Sequence, residues 1–171
     1  MSDVFYLRPL GQRVTGDDVR AMASEAGGCF DMHGVSWLRS FLSEDGEQMM
    51  CWYRSPDAES ARIALRELGS DVNAVWAGTI LPDDSEMMSE TLDLLVEVRL
   101  SSGLPAGDVR PLLQSAMPDV LLLAGVRSLD GRRLIGLFQS GAGEGSSLDV
   151  IHPAGAVSVA VWPCHGVNPR G

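Results

Sequence analysis

The chain repeats itself. Asp18-Val19-Arg20 returns as Asp108-Val109-Arg110, Asp45-Gly46 as Asp130-Gly131, and Val75-Trp76 as Val161-Trp162, each pair roughly 85 to 90 residues apart. Offsets that drift by only a few residues imply small loop changes inside one repeated unit, so the chain has to fold as two versions of one α+β motif. The expected division is unit one over 1–82, an acidic linker over 83–91 and unit two over 92–171.

Within unit one, Val4 to Arg8 alternates and stops at Pro9, as a strand does. Thr15 is placed to cap a helix, with Asp18 three residues on and Val19, Met22, Ala23 and Ala26 at helical spacing before Gly27-Gly28 ends or loosens it. Ser36 to Ser43 and Gln48 to Arg54 flank Asp45-Gly46, a dipeptide suited to a hairpin turn that needs positive φ. Ser55-Pro56 opens a second helix with the stripe Ala61, Leu65 and Leu68, ended by Gly69, and Val72 to Leu81 closes the unit as a strand. Unit two repeats the order with Leu94 to Leu100, a helix over Ala106 to Met117, the Asp130-Gly131 hairpin, a short helix near Ser146 to Ile151, and Val157 to Trp162.

A βαββαβ unit is expected to form a ferredoxin-like sandwich, with both helices on one face of an antiparallel sheet. The other face then needs cover, and two fused units supply it by packing sheet on sheet as an intrachain dimeric α/β barrel. The same logic allows association into a further homodimer.

Charge and composition restrict the partners. With 13 basic against 23 acidic residues the net charge is −10, which repels a phosphate backbone, so no nucleic-acid partner is expected. The longest apolar run, Val120 to Val126, is far short of the ~20 residues that span a bilayer, and no basic amphipathic stretch offers membrane attachment. Three cysteines make no even disulfide framework, and Met1-Ser2-Asp3 lacks a secretory pattern; both fit a cytoplasmic protein.

The stretches Val35-Ser-Trp-Leu-Arg-Ser-Phe-Leu-Ser-Glu-Asp-Gly and Met50-Cys-Trp-Tyr-Arg-Ser-Pro-Asp-Ala-Glu resemble a family of small bacterial domains, some of which are nickel-binding proteins. The resemblance covers roughly residues 4–81 and implies a ferredoxin-like fold that dimerises. Family members carry histidine before the strand-two tryptophan and within the second helix. This chain has Ser36 and about Ala64 there, so no family ligand carries over by position.

For chemistry, the residues themselves offer several constellations. Cys29, Met32 and His33, with Cys164 and His165, could bring thiolate, thioether and imidazole together around nickel or another transition metal, with Cys29, His33 and His165 as ligands; buried thiols and surface histidines explain the same residues. Arg8, Arg39, Arg54 and Arg99 could clamp a carboxylate, with Tyr6, Trp37, Trp52, Tyr53 and Trp76 as apolar walls; arginines paired with acids and aromatics filling cores is the plainer account. Cys51 is either a reactive thiol beside Tyr53 or an inert buried one. Gly141-x-Gly143-x-Gly145 lacks the lysine of a phosphate loop and carries Glu144.

Aligning first strands sets Phe5 and Leu7 against Val96 and Val98 and turns them toward the helices, leaving Arg8 and Arg99 on the other face. Plain alternation puts Trp37, Arg39 and Phe41 on one side of the second strand. Unit two has Leu122, Ala124, Gly136 and Phe138 where unit one has Trp37, Arg39, Cys51 and Tyr53, so a ligand site is expected in unit one or at the junction, built on Arg8, Trp37, Arg39, Cys51 and Tyr53.

Two functions fit. One is a binding protein for a small molecule or nickel-like metal ion, without turnover. The other is a cofactor-independent monooxygenase, cyclase or isomerase acting on a small aromatic or polyketide-like substrate, which a cavity of several hundred Å³ with a convergent His or Arg would favour. The sequence leaves open whether the protein is an enzyme.

Overall fold

A computed structural model describes residues 1–141 and 149–170. The chain forms two compact units, Met1–Gly78 with His165–Gly171, and Thr79–Cys164.

Unit one contains β1 (Ser2–Pro9), α1 (Gly16–Met32), β2 (Ser36–Ser43), β3 (Gln48–Ser55), α2 (Ala58–Glu67) and the start of β4 (Val75–Leu81). Strand β1 pairs antiparallel with both β3 and β4, and β3 pairs with β2. Unit two contains β5 (Leu94–Leu100), α3 (Ala106–Ala116), β6 (Leu121–Ser128), β7 (Arg133–Gln139) and most of β8 (Ala156–Val167). It repeats the pairing: β5 lies between β7 and β8, and β7 pairs with β6. The expected helix near Ser146 to Ile151 and the Gly141 to Gly145 stretch fall largely outside the described residues; Asp149 to Ile151 are not helical.

Helix α1 starts where its capping residues put it. Asp18 N donates to Thr15 Oγ1 at 3.3 Å and Thr15 N donates to Asp18 Oδ2 at 2.8 Å, a reciprocal capping box. Gly27-Gly28 does not end it: the helix runs on to Met32, because Phe30 is buried beyond the glycines and packs edge-on against Tyr53 at 5.4 Å. Helix α2 begins after Asp57, not at Ser55-Pro56, since the Asp57 carboxylate accepts from Ser60 N at 2.7 Å. Val72–Ala74 is a 3₁₀ turn, so β4 starts later than the apolar run suggests. The acidic stretch after β4 holds a second 3₁₀ turn, Ser85–Met88, with Met87 fully buried.

The two hairpins match atom for atom. Ser43 Oγ donates to Asp45 Oδ1 and accepts from Gln48 N, and Asp45 Oδ1 also accepts from Glu47 N. Ser128, Asp130, Arg133 and Arg132 repeat all three bonds. The glycine carbonyl then accepts from the segment that precedes the helix: Val14 N to Gly46 O at 2.9 Å, and Leu104 N to Gly131 O at 3.0 Å. A bulge interrupts the strand before each turn at matching places, between Trp37 and Arg39 and between Leu122 and Ala124.

Register corrects the expected faces. Val4 pairs with Tyr53 and Leu94 with Phe138, so Val4, Tyr6 and Arg8 correspond to Leu94, Val96 and Val98. Aligning Phe5 with Val96 is a one-residue slip, and in a strand that inverts every side chain. The helix-side core of unit one accordingly holds Val4 and Tyr6 with Val19, Ala26, Phe30, Ala61 and Leu65, while Phe5 stacks on Trp76 at 5.0 Å. In unit two Leu94, Val96 and Val98 pack with Val109, Leu113 and Ala116.

Candidate functional site

Among the described residues, unit one gathers candidate ligand-binding side chains in two places. The first lies where α1 and α2 end. Cys29 and His33, four residues apart and so on one helical face, meet Glu67, the last residue of α2. Their ligand atoms all lie within 4.8 Å of one another. His33 Nε2 is 3.0 Å from Glu67 Oε2, and the Cys29 thiol donates to the same oxygen at 3.3 Å. Since the ionised carboxylate only accepts, His33 carries its proton on Nε2 in this arrangement. These bonds, His33's first, hold the Glu67 carboxyl below its ordinary range. Desolvation, then the neighbouring Glu67, pushes the Cys29 thiol up.

Sequence spacing found Cys29 and His33 but missed Glu67, which joins them only because α2 packs beside α1. His165, expected as the third ligand, lies on β8 and is not in this cluster; its neighbour Cys164 is buried while His165 is exposed, as alternation on a strand requires. Thiolate, imidazole and carboxylate form a donor set that suits nickel, zinc or cobalt and leaves positions for water. The carbonyl ends of two helices, each with partial negative charge, add to the attraction for a cation.

The second place is a cavity of about 210 Å³ between the helices and the sheet. Four of the expected ligand-binding residues, Arg8, Trp37, Cys51 and Tyr53, line it together. Arg39 does not. The bulge after Trp37 shifts the alternation, so Trp37 and Ser40 turn toward the helices while Arg39 points the other way, buried with its guanidinium 5.5 Å from the Phe41 ring.

A polar relay crosses the cavity wall. Trp37 Nε1 donates to Ser40 Oγ at 3.0 Å, and Ser40 Oγ donates to Cys51 Sγ at 3.1 Å. Burial pushes the Cys51 thiol up, although the hydrogen bonds from Ser40 and Tyr53 and the charge of Arg8 oppose it. Burial, reinforced by Cys51, raises Tyr53 well above the ordinary phenol value. Both groups are therefore neutral at physiological pH, and Cys51 has the character of an inert thiol.

Arg8 differs from its neighbours. Its guanidinium stands 5.1 Å from the Tyr6 ring and 3.9 Å from the Met22 sulfur, and its Nε is buried without a hydrogen-bond partner among the described residues. Glu25 also lines the cavity, from an exposed position on α1.

Residues 7–77 match the family described as nickel responsive protein, SCO4226-like, a stretch that lies within unit one and includes none of unit two. No curated protein matches the chain. Two solved structures are similar along their length. A candidate monooxygenase from Lactobacillus acidophilus NCFM has a TM-score of 0.44 at 10% identity, covering 98% of this chain and 95% of that one. An anthrone oxidase-like protein has a TM-score of 0.42 at 9% identity, covering 99% and 93%. Similarity at that level assigns no activity. Among the described residues no helix is long and apolar enough to cross a membrane.

Proposed function

We propose that this is a nickel-binding or related transition-metal-binding protein without turnover, whose ion is held in unit one by Cys29 Sγ, His33 Nε2 and a Glu67 oxygen. The observation that carries the reading is the convergence of these three donors within 4.8 Å, inside the stretch that matches a nickel responsive family. Bound there, the ion would be neutralised by the Cys29 thiolate and the Glu67 carboxylate, with His33 as a neutral donor. Cys29 gives up its thiol proton, His33 moves its proton to Nδ1 and frees Nε2, and Glu67 exchanges two hydrogen bonds for one coordinate bond. Because the Cys29 proton is held more tightly than usual, affinity rises with pH. The matching strand orders and hairpin networks support descent of both units from one duplicated ferredoxin-like ancestor, with metal chemistry confined to the first.

Titration of metal-free protein with nickel, followed by calorimetry and by near-ultraviolet thiolate-to-metal absorption, tests this. Wild type is expected to bind about one ion per chain, Cys29→Ser to lose the absorption band, and Glu67→Gln and His33→Ala to weaken binding by roughly 10- to 100-fold, with His165→Ala unchanged. Equal binding by wild type and Cys29→Ser would sink the assignment, as would failure of nickel, cobalt and zinc alike to bind.

A further inference from the structure

We infer that the cavity of unit one is a binding site for a small organic carboxylate with one compact apolar body, separate from the metal cluster. The strongest argument comes from the chain's own second copy. Strand register and the shared Asp-Val-Arg anchor place Ala23 opposite Leu113, Arg8 opposite Val98, Ser40 opposite Gly125, Cys51 opposite Gly136, and Tyr53 opposite Phe138.

In unit two that space is filled. A Cβ on Gly136 would stand 2.5 Å from Phe138 Cε2 and 3.3 Å from Leu113 Cδ2, and one on Gly125 would stand 3.1 Å from Leu113 Cδ1. Leu113 and Phe138, both fully buried, therefore occupy the volume over the two glycines. In unit one the leucine has become alanine, which opens the space, and the walls carry Ser40, Cys51 and Tyr53. The same place in the scaffold is thus occupied by Leu113 and Phe138 in one copy and left hollow and polar-lined in the other.

The charge of the expected ligand follows from Arg8. An arginine replaces a core valine on the helix-facing side of β1, and among the described residues it forms no ion pair with a carboxylate. A guanidinium with an unpartnered, buried Nε–H meets that need with an anion that accepts from it, most strongly a carboxylate. Apart from Glu25 and Ser70 the remaining wall is apolar, with Phe30, Trp37, Met49 and Leu65 supplying its larger side chains. A hollow of ~150 Å³ accommodates benzene, so about 210 Å³ accommodates one ring plus a carboxylate and little more. That is below the ~300 Å³ where common cofactor and drug-sized pockets begin, which excludes polycyclic ligands held wholly inside. Glu25 stands on the same wall and repels a dianion, so a monocarboxylate is favoured.

The test uses the full-length protein in a chelator, so that its result does not depend on the metal site. Benzoate, phenylacetate and hexanoate are compared with benzamide by saturation-transfer NMR and thermal shift. At least one carboxylate is expected to bind with a Kd of about a millimolar or tighter, with benzamide at least roughly tenfold weaker. Arg8→Met, which keeps the stem and loses the charge, is expected to weaken carboxylate binding by roughly 10- to 100-fold. Ala23→Leu, which installs the residue of unit two, is expected to abolish it while the far-ultraviolet spectrum is retained. No binding by any of the three acids, equal binding of benzamide and benzoate, or unchanged binding by Arg8→Met would each overturn the inference.

Discussion

The guanidinium of Arg39 occupies the space that a side chain on Gly166 would need: a Cβ there would overlap Arg39 Nη2, Nε and Cζ. Arg39 is buried, so its planar head is a packed part of unit one, fitted against bare backbone and the Phe41 ring. Gly166 and Arg39 are therefore a matched pair. Gly166→Ala is expected to destabilise the protein by about 1–3 kcal/mol, read as a lower urea midpoint at unchanged slope. In an Arg39→Met background the added methyl should cost much less. Equal costs in both backgrounds would show that the two positions are independent.

Gly46 and Gly131 do the same work twice. Their φ values of +73° and +71° lie in the left-handed region, and a Cβ would come within 2.5 Å of Val14 O in one unit and 2.7 Å of Leu104 O in the other. Alanine at either position meets both the backbone strain and a backbone carbonyl of the segment that precedes the helix. Each substitution is expected to cost about 1–3 kcal/mol. Gly69, also at positive φ but with open space around it, provides the comparison: Gly69→Ala should show the smaller cost of strain alone. Chemical denaturation of the three variants measures this directly.

Legibility in the sequence followed how local each signal was. The capping box and the Asp-Gly turns could be read because each rests on residues within five of one another. The face of β1 could not, because Phe5 and Tyr6 are both apolar enough to face a core, and a one-residue slip inverts the answer. Only pairing of Val4 with Tyr53 settles it. The bulge after Trp37 has no sequence signature here, so plain alternation keeps Phe41 beside Arg39 correctly but places Trp37 on the wrong side. Glu67 escaped because it joins Cys29 and His33 from another helix, by packing alone.

Alkaline pH should weaken unit one selectively. A thiol or phenol with a raised folded pKa keeps its proton in the native state after the unfolded chain has lost it. Its contribution is full below the ordinary values of 9.0 and 10.0 and is lost as pH climbs through the raised ones. Cys51 and Tyr53 are both of this kind, and unit two has Gly136 and Phe138 at their places. Stability measured from pH ~8 to ~10.5 should fall in wild type and fall less in Tyr53→Phe. Parallel pH profiles would remove Tyr53 as a cause.

The three thiols should separate by reactivity, and the order tests the metal cluster without any metal. Cys51 and Cys164 are 4% and 3% exposed, whereas Cys29 is partly open to solvent. A disulfide reagent should therefore label Cys29 first in the native protein, and Cys29→Ser should remove the early phase. Because desolvation and Glu67 both hold the proton on Cys29, that phase should be slower than for a free cysteine at neutral pH. Glu67→Gln removes the carboxylate that accepts the thiol proton, so it should accelerate labelling by a few-fold while leaving Cys51 and Cys164 protected. Added nickel should slow labelling in wild type and have little effect in His33→Ala, since a coordinated thiolate no longer attacks freely. An unchanged rate in Glu67→Gln would mean that the carboxylate does not control this thiol.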